Sequence, residues 1–129
     1  MVQIGELEHE QGLVRVEVTG EHTPGREMAE AASVWTRVAE SCRERQVRKI
    51  LAIWHAPATF PTADGFDIGS DPGALFGWER TYALAVVHMD QAPRAQELYR
   101  FVENVAHNHG YSFRSFSSEA AARAWLDDA

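Results

Sequence analysis

Val14-Arg15-Val16-Glu17-Val18-Thr19 alternates apolar and polar residues without a break. That period of two describes a strand with one dry and one wet face. Residues 2–9 and 13–19 are expected to pair as an antiparallel hairpin turned at Gln11-Gly12, where glycine takes a positive φ at no steric cost. The first of these strands is less regular, and Gly5 marks a bulge or bend in it. A helix follows, with Thr23 as its cap and Pro24 at its first position, where no needed donor is lost. Met28, Ala31, Trp35, Val38 and Cys42 recur every three or four residues and form its apolar stripe. Glu30, Arg37, Glu40 and Glu44 fall on the opposite, wet side, and the pattern runs to about residue 46.

Residues 50–54 (ILAIW) and 82–87 (YALAVV) are unbroken apolar runs of strand length. Runs without alternation belong to strands covered on both faces. Residues 93–108 predict a second long helix with a stripe of Ala95, Leu98, Val102 and Val105, ended by Gly110. Residues 111–116 predict a short strand whose Arg114 and serines suit an edge position. Ser117 or Ser118 then caps a last helix with Ala121, Trp125 and Leu126 facing inward. Strands alternating with helices imply right-handed crossovers, so the expected fold is α/β. It is a mainly parallel sheet of about five strands with helices packed on it, the N-terminal hairpin adding an antiparallel strand. Residues 1–129 show no internal repeat and no composition break, and one domain is expected.

Composition narrows the functional classes. The chain has 129 residues, is 45% hydrophobic and 24% charged, and carries a net charge of −7. That is the composition of a folded domain. It lacks the basic surface a general nucleic-acid binder needs. Arg43, Arg45, Arg48 and Lys49 do cluster, but at a helix C-terminus, where cations favour the dipole. Cys42 is the single cysteine, so neither an intrachain disulfide nor a cysteine-rich metal site is available. With no basic-then-apolar N-terminal segment and no long apolar span, a reducing cytoplasmic location is expected, without a membrane span.

The ordered set of elements resembles a known fold family. Val18-Thr19-Gly20 leads into the helix opened at Thr23-Pro24, and the strand at 50–54 follows. Gly65-Phe66-Asp67-Ile68-Gly69 precedes an aromatic-rich short helix and then the strand at 83–87. Phe116-Ser117-Ser118-Glu119-Ala120 with Ala124-Trp125-Leu126 completes the set. In this order the chain resembles small bacterial proteins of the STAS domain fold, in their SpoIIAA-like branch, which shares its fold with CRAL–TRIO lipid-carrying domains. The resemblance spans nearly the whole chain and implies fold more than chemistry. Anti-sigma-factor antagonists of this type carry a phosphorylatable serine in Asp-Ser-Ser-Gly. The corresponding stretch here is Gly69-Ser70-Asp71-Pro72-Gly73. Ser70 reads as a helix N-cap with proline in the first turn. A phosphate on Ser70 would be repelled by Asp67 and Asp71, which disfavours a phosphoswitch.

Candidate chemistry is sparse. His55 and His88 follow two strands expected to be parallel, which puts both at the carboxyl edge of the sheet, where open α/β sheets bind ligands. Two neutral imidazoles there would hold a metal or move a proton, with Asp64, Asp67 or Asp90 adding a carboxylate. The competing reading has each histidine simply closing a strand end. His107 and His109 suit a helix C-terminus, and His9 and His22 are expected in surface turns. No G-x-S-x-G elbow or glycine-rich phosphate loop is present, and Cys42 sits on an apolar stripe. Neither a catalytic residue, a cofactor nor a metal is therefore assigned.

The segment from His55 to Trp78 is too broken by proline and glycine for a strand, and its residues 56–71 are expected as an irregular loop hanging over the sheet edge. Phe60, Phe66, Ile68, Phe76 and Trp78 lie in it and need cover, from the domain body, a second subunit or an apolar ligand. The resulting expectation is a non-enzymatic interaction or ligand-binding module acting as a homodimer. Its protein partner or small apolar ligand meets His55, Phe60, Phe66, Ile68, Trp78 and His88. The alternatives are a small apolar-ligand or lipid carrier of CRAL–TRIO type, and a small metal-dependent or hydrolytic enzyme using His55 and His88.

Overall fold

The computed structural model describes residues 1–10 and 12–129. The expected turn position Gln11 lies outside the described residues. Among the described residues six strands form one sheet: β1 (Val2–Ile4), β2 (Glu8–Glu10), β3 (Leu13–Gly20), β4 (Lys49–Trp54), β5 (Ala83–His88) and β6 (Ser112–Phe116). The same described residues form five helices: α1 (Glu27–Arg45), α2 (Thr62–Ser70), α3 (Pro72–Phe76), α4 (Pro93–Asn108) and α5 (Glu119–Asp127). β3, β4, β5 and β6 lie side by side in chain order, and each neighbouring pair is parallel. The first expected strand is split in two. β1 and β2 both pair antiparallel with β3, and between them Gly5 bonds Glu17 O through its N–H at 2.8 Å. A Cβ on Gly5 would press on that same carbonyl at 3.3 Å, so glycine permits the break.

Parallel strands laid down in one direction with right-handed crossovers must carry every connecting helix on the same face. That face holds the larger core: Val14, Val16 and Val18 of β3, Ile50, Ala52 and Trp54 of β4, and Leu84 and Val86 of β5, against Trp35 and Val38 of α1 and Leu98 and Tyr99 of α4. Of the described helices, α5, after the last strand, is the one that packs on the other face. Ala122 and Leu126 pack there on Leu51, Ile53, Ala85 and Val87. The inward alanine is Ala122 rather than the expected Ala121, because it lies one turn from Leu126 on the same stripe. Leu13, at the start of β3, still joins this second cluster, and beyond it β3 alternates because its second face is covered by charged rather than apolar side chains. There Arg15 meets Glu17 at 2.8 Å, Glu119 at 3.2 Å and Glu8 at 3.4 Å, while Arg123 joins Glu10 at 2.7 Å to Glu119 at 2.9 Å.

Two helix starts differ from expectation. α1 begins at Glu27, not at Pro24, because Pro24-Gly25 forms a tight turn in which Arg26 N–H donates to Thr23 O at 2.9 Å. Gly25 has φ +82°, the conformation that position requires. Residues 56–71 are not a long irregular loop: α2 occupies most of them, and α3 follows at once. α3 is capped by Asp71, whose carboxylate accepts from Ala74 N–H at 3.3 Å, so the expected cap Ser70 is instead the last residue of α2. Proline at the first position of α3 follows Asp71 directly, which favours the aspartate as cap.

Gly65 and Gly69, one turn apart, face α4. A Cβ at Gly69 would sit 3.0 Å from Val102 O and from Val105 Cβ, whereas at Gly65 it would meet side-chain tips of Val102, Leu98 and Phe60 at 3.2, 3.4 and 3.5 Å. Gly69→Ala is therefore expected to lower stability by about 1–3 kcal/mol, more than the helix propensity it gains. Gly65→Ala should cost less, and urea denaturation of both variants checks the order. Glu10, Glu17 and Glu119 are held below the usual 4.5, Glu10 chiefly by Arg123 and the other two chiefly by Arg15. Their contribution is complete above 4.5 and is lost as pH falls through the depressed values. Glu119→Gln should lower the melting temperature at neutral pH, with the gap closing in acid. Thermal melts across pH would contradict this if the gap stayed constant.

Candidate functional site

Between the helical layer and the sheet lies a cavity of about 70 Å³. Trp54, Leu84, Val86 and Phe113 floor it, Ala31 and Trp35 of α1 form one wall, and Tyr99, Val102 and Ala106 of α4 form the other. Ile68, Gly69, Pro72 and Phe76 roof it from α2 and α3, with Phe60 ahead of α2. His22, Trp78 and Tyr111 complete its lining. The close approach of α2 to α4 at Gly65 and Gly69 sets the height of this roof, because interaxial distance follows the side chains at the contact.

A continuous aromatic series runs along the cavity and past it to Tyr82. His22 stacks on Trp54 at 5.9 Å, Trp54 on Trp35 at 5.1 Å, Trp78 meets Trp35 edge-on at 5.8 Å, and Tyr82 meets Trp78 edge-on at 5.7 Å. Burial pushes the Tyr82 hydroxyl up to about 12 and the Cys42 thiol, in the same core, up to about 11. Neither group ionises at neutral pH, so the apolar character of this layer is maintained.

His22 is buried here rather than in a surface turn, and Glu30 is buried rather than on the wet side of α1. One explains the other. The Pro24-Gly25 turn folds Thr23 back over the start of α1, where Thr23 N–H and the Thr23 hydroxyl donate to the two Glu30 oxygens at 2.9 and 2.8 Å. His22 Nδ1 reaches Glu30 Oε1 at 3.2 Å. A carboxylate accepts, so Nδ1 carries the proton. These donors, the Thr23 N–H first, hold the Glu30 carboxyl below its usual range.

Of the residues expected at a site, Phe60, Ile68 and Trp78 line the cavity together. Phe66 does not. It lies on the outer side of α2, 48% exposed, with its edge toward His109 at 6.4 Å. Phe76 and Trp78 are covered by the domain itself, and Phe60 and Ile68 are half-buried, so Phe66 alone of the five remains uncovered. Ser70, half-buried at the end of α2, is not at a helix start.

His55 and His88 do stand at adjacent strand ends, but on opposite faces. Trp54 of β4 is in register with His88 of β5, and both face the helical layer. His55, one residue further, points the other way and bonds Glu17 Oε2 through Nε2 at 3.2 Å. His88 stacks on Tyr99 of α4 at 4.3 Å. Among the described residues no three His, Cys, Asp or Glu side chains are placed to share a metal ion. Also among them, no helix is long and apolar enough to cross a membrane. Of the cavity residues the sequence did not assign to a site, Trp35 and Val102 were legible as core stripe. His22, Tyr99 and Tyr111 gave no signal, because their place depends on turns and register. The chain matches no family model, and no curated protein matches it.

Proposed function

We propose that this protein is a non-enzymatic, STAS-like module that binds a small apolar molecule beneath α2 and α3. The observation that carries the reading is the aromatic-walled cavity between the helices and the sheet. Protein interiors are close-packed, and a void lined by apolar groups stays dry and takes up apolar guests. At about 70 Å³ it is smaller than the roughly 150 Å³ that accommodates benzene. A one-ring ligand therefore needs Phe60 and Ile68, the half-buried side chains of the roof, to move aside, and a long acyl chain is a poorer fit than a single ring. Three of the four tryptophans, Trp35, Trp54 and Trp78, line the cavity, whereas Trp125 sits on the other face against Phe116.

Trp125→Phe therefore leaves only cavity tryptophans as reporters. Titration of that variant with toluene should give a saturable change in emission and raise the melting temperature by mass action. Ala106→Leu, which fills the space, should remove both effects. Emission unaltered by toluene, or altered equally in the filled variant, overturns the reading.

A second reading, the homodimer, rests on Phe66 of α2 and Leu75 of α3, 48% and 41% exposed. Light scattering at high micromolar concentration should then give twice 14.4 kDa, and Phe66→Ser should return it to 14.4 kDa. Wild-type protein already at the single-chain mass excludes pairing.

A further inference from the structure

A second, polar cleft of about 280 Å³ lies at the carboxyl ends of β5 and β6. Its position follows from the chain path. The segment leaving β5 enters α4 on one face of the sheet, whereas the segment leaving β6 enters α5 on the other. Adjacent parallel strands whose connections part to opposite faces leave a crevice outside their carboxyl ends, the position where open α/β sheets hold ligands. His88 and Gln91 line it after β5, Ser115 and Ser117 line it at the end of β6, and Arg100 and Glu103 line it from α4.

The loop between β5 and α4 is tightly held. Both Asp90 oxygens are used, Oδ2 by Ala58 N–H at 3.1 Å and Oδ1 by Ala92 N–H at 3.0 Å, and Gln91 Nε2 donates to His88 O at 3.2 Å. His88 is only 6% exposed, and its Nδ1 lies 3.1 Å from Asp90 O. A carbonyl oxygen only accepts, so the proton of the neutral ring is on Nδ1. Nε2 is then a lone-pair acceptor without a protein partner among the described residues. No buried side-chain nitrogen or oxygen is unsatisfied among them, so Nε2 is not fully occluded, and His88 lines the cleft. Arg100, which lines the same cleft, is exposed and forms no ion pair among the described residues. Glu103 spends Oε1 on Ser115 N–H at 2.7 Å and places a negative charge in the same wall.

We infer that this cleft binds a small hydroxy-carboxylate, its carboxylate on the Arg100 guanidinium and its hydroxyl donating to His88 Nε2. A guanidinium pairs with a carboxylate through two parallel N–H donors. The His88 lone pair selects a ligand with a donor near that carboxylate, and Glu103 discourages dianions such as phosphate. The site is separate from the apolar cavity, although His88 stacks on Tyr99, which lines that cavity.

Imidazole nitrogen NMR tests the inference with L-lactate as probe, and propionate, 2-propanol and inorganic phosphate as comparisons. The free protein should show His88 protonated at Nδ1 and bare at Nε2. Lactate should shift the His88 Nε2 resonance saturably, with propionate and 2-propanol each weaker. Arg100→Gln, at an exposed position that leaves the fold intact, should weaken lactate by roughly tenfold, the loss of one charge-assisted contact. The inference is overturned by a proton on Nε2 in the free protein, by no saturable shift with lactate, by phosphate binding as tightly as lactate, or by unchanged affinity in Arg100→Gln. None of these outcomes depends on the apolar cavity, whose reporters are tryptophans.

Discussion

Ile50, Ala52 and Trp54 of β4 point to one side of the sheet while Leu51 and Ile53 point to the other, and β5 repeats this with Leu84 and Val86 against Ala83, Ala85 and Val87. Two neighbouring strands that are apolar on both faces must be dried twice. Crossovers of one hand, advancing in one direction, supply helices to a single side only. The second side waits for α5, which comes last. The whole architecture is the solution to that constraint: a thick helical layer over four parallel strands, and one short helix behind β4 and β5. On β3 the apolar pattern of this side ends after Leu13, and Arg15 with its three glutamates, one of them Glu119 of α5, takes over.

The helical layer carries its own tension between close packing and bulk. Gly65 and Gly69 let α2 settle against α4 more closely than any larger residue allows. The large rings around them cannot fill the space beneath with the same economy. Trp35, Trp54 and Trp78 pack on one another, and the roof of Ile68, Pro72 and Phe76 closes over a remainder that no side chain enters. The cavity is thus the product of small residues in the roof seam and rigid rings in the walls.

The polar cleft arises from topology rather than packing. It exists because β5 and β6 send their following helices to opposite faces. His88 ends β5 with its ring on the α4 side, and a backbone carbonyl holds its tautomer. His55, offset by one residue along β4, is turned by strand geometry toward Glu17 and the wet face. Two histidines that look equivalent along the chain are therefore different groups in space.

The sequence by itself determined the element types and the parallel core. Unbroken runs at 50–54 and 82–87, alternation at 14–19 and helical stripes at 28–42 and 95–105 are local periodicities, and period translates directly into which face is buried. Phe60, Ile68 and Trp78 were legible as apolar side chains in need of cover. What only the tertiary structure decided were features set by contacts between distant residues. Glycines four apart are helix breakers by propensity, yet α4 makes them the contact surface of α2. Glu30 and His22 belong outside by polarity, yet the turn at Pro24-Gly25 brings them together with Thr23 in a buried cluster where each polar group finds a partner. Periodicity reports how one segment meets solvent on average; it holds no information about which second segment will satisfy a buried donor or fill the place of a missing Cβ.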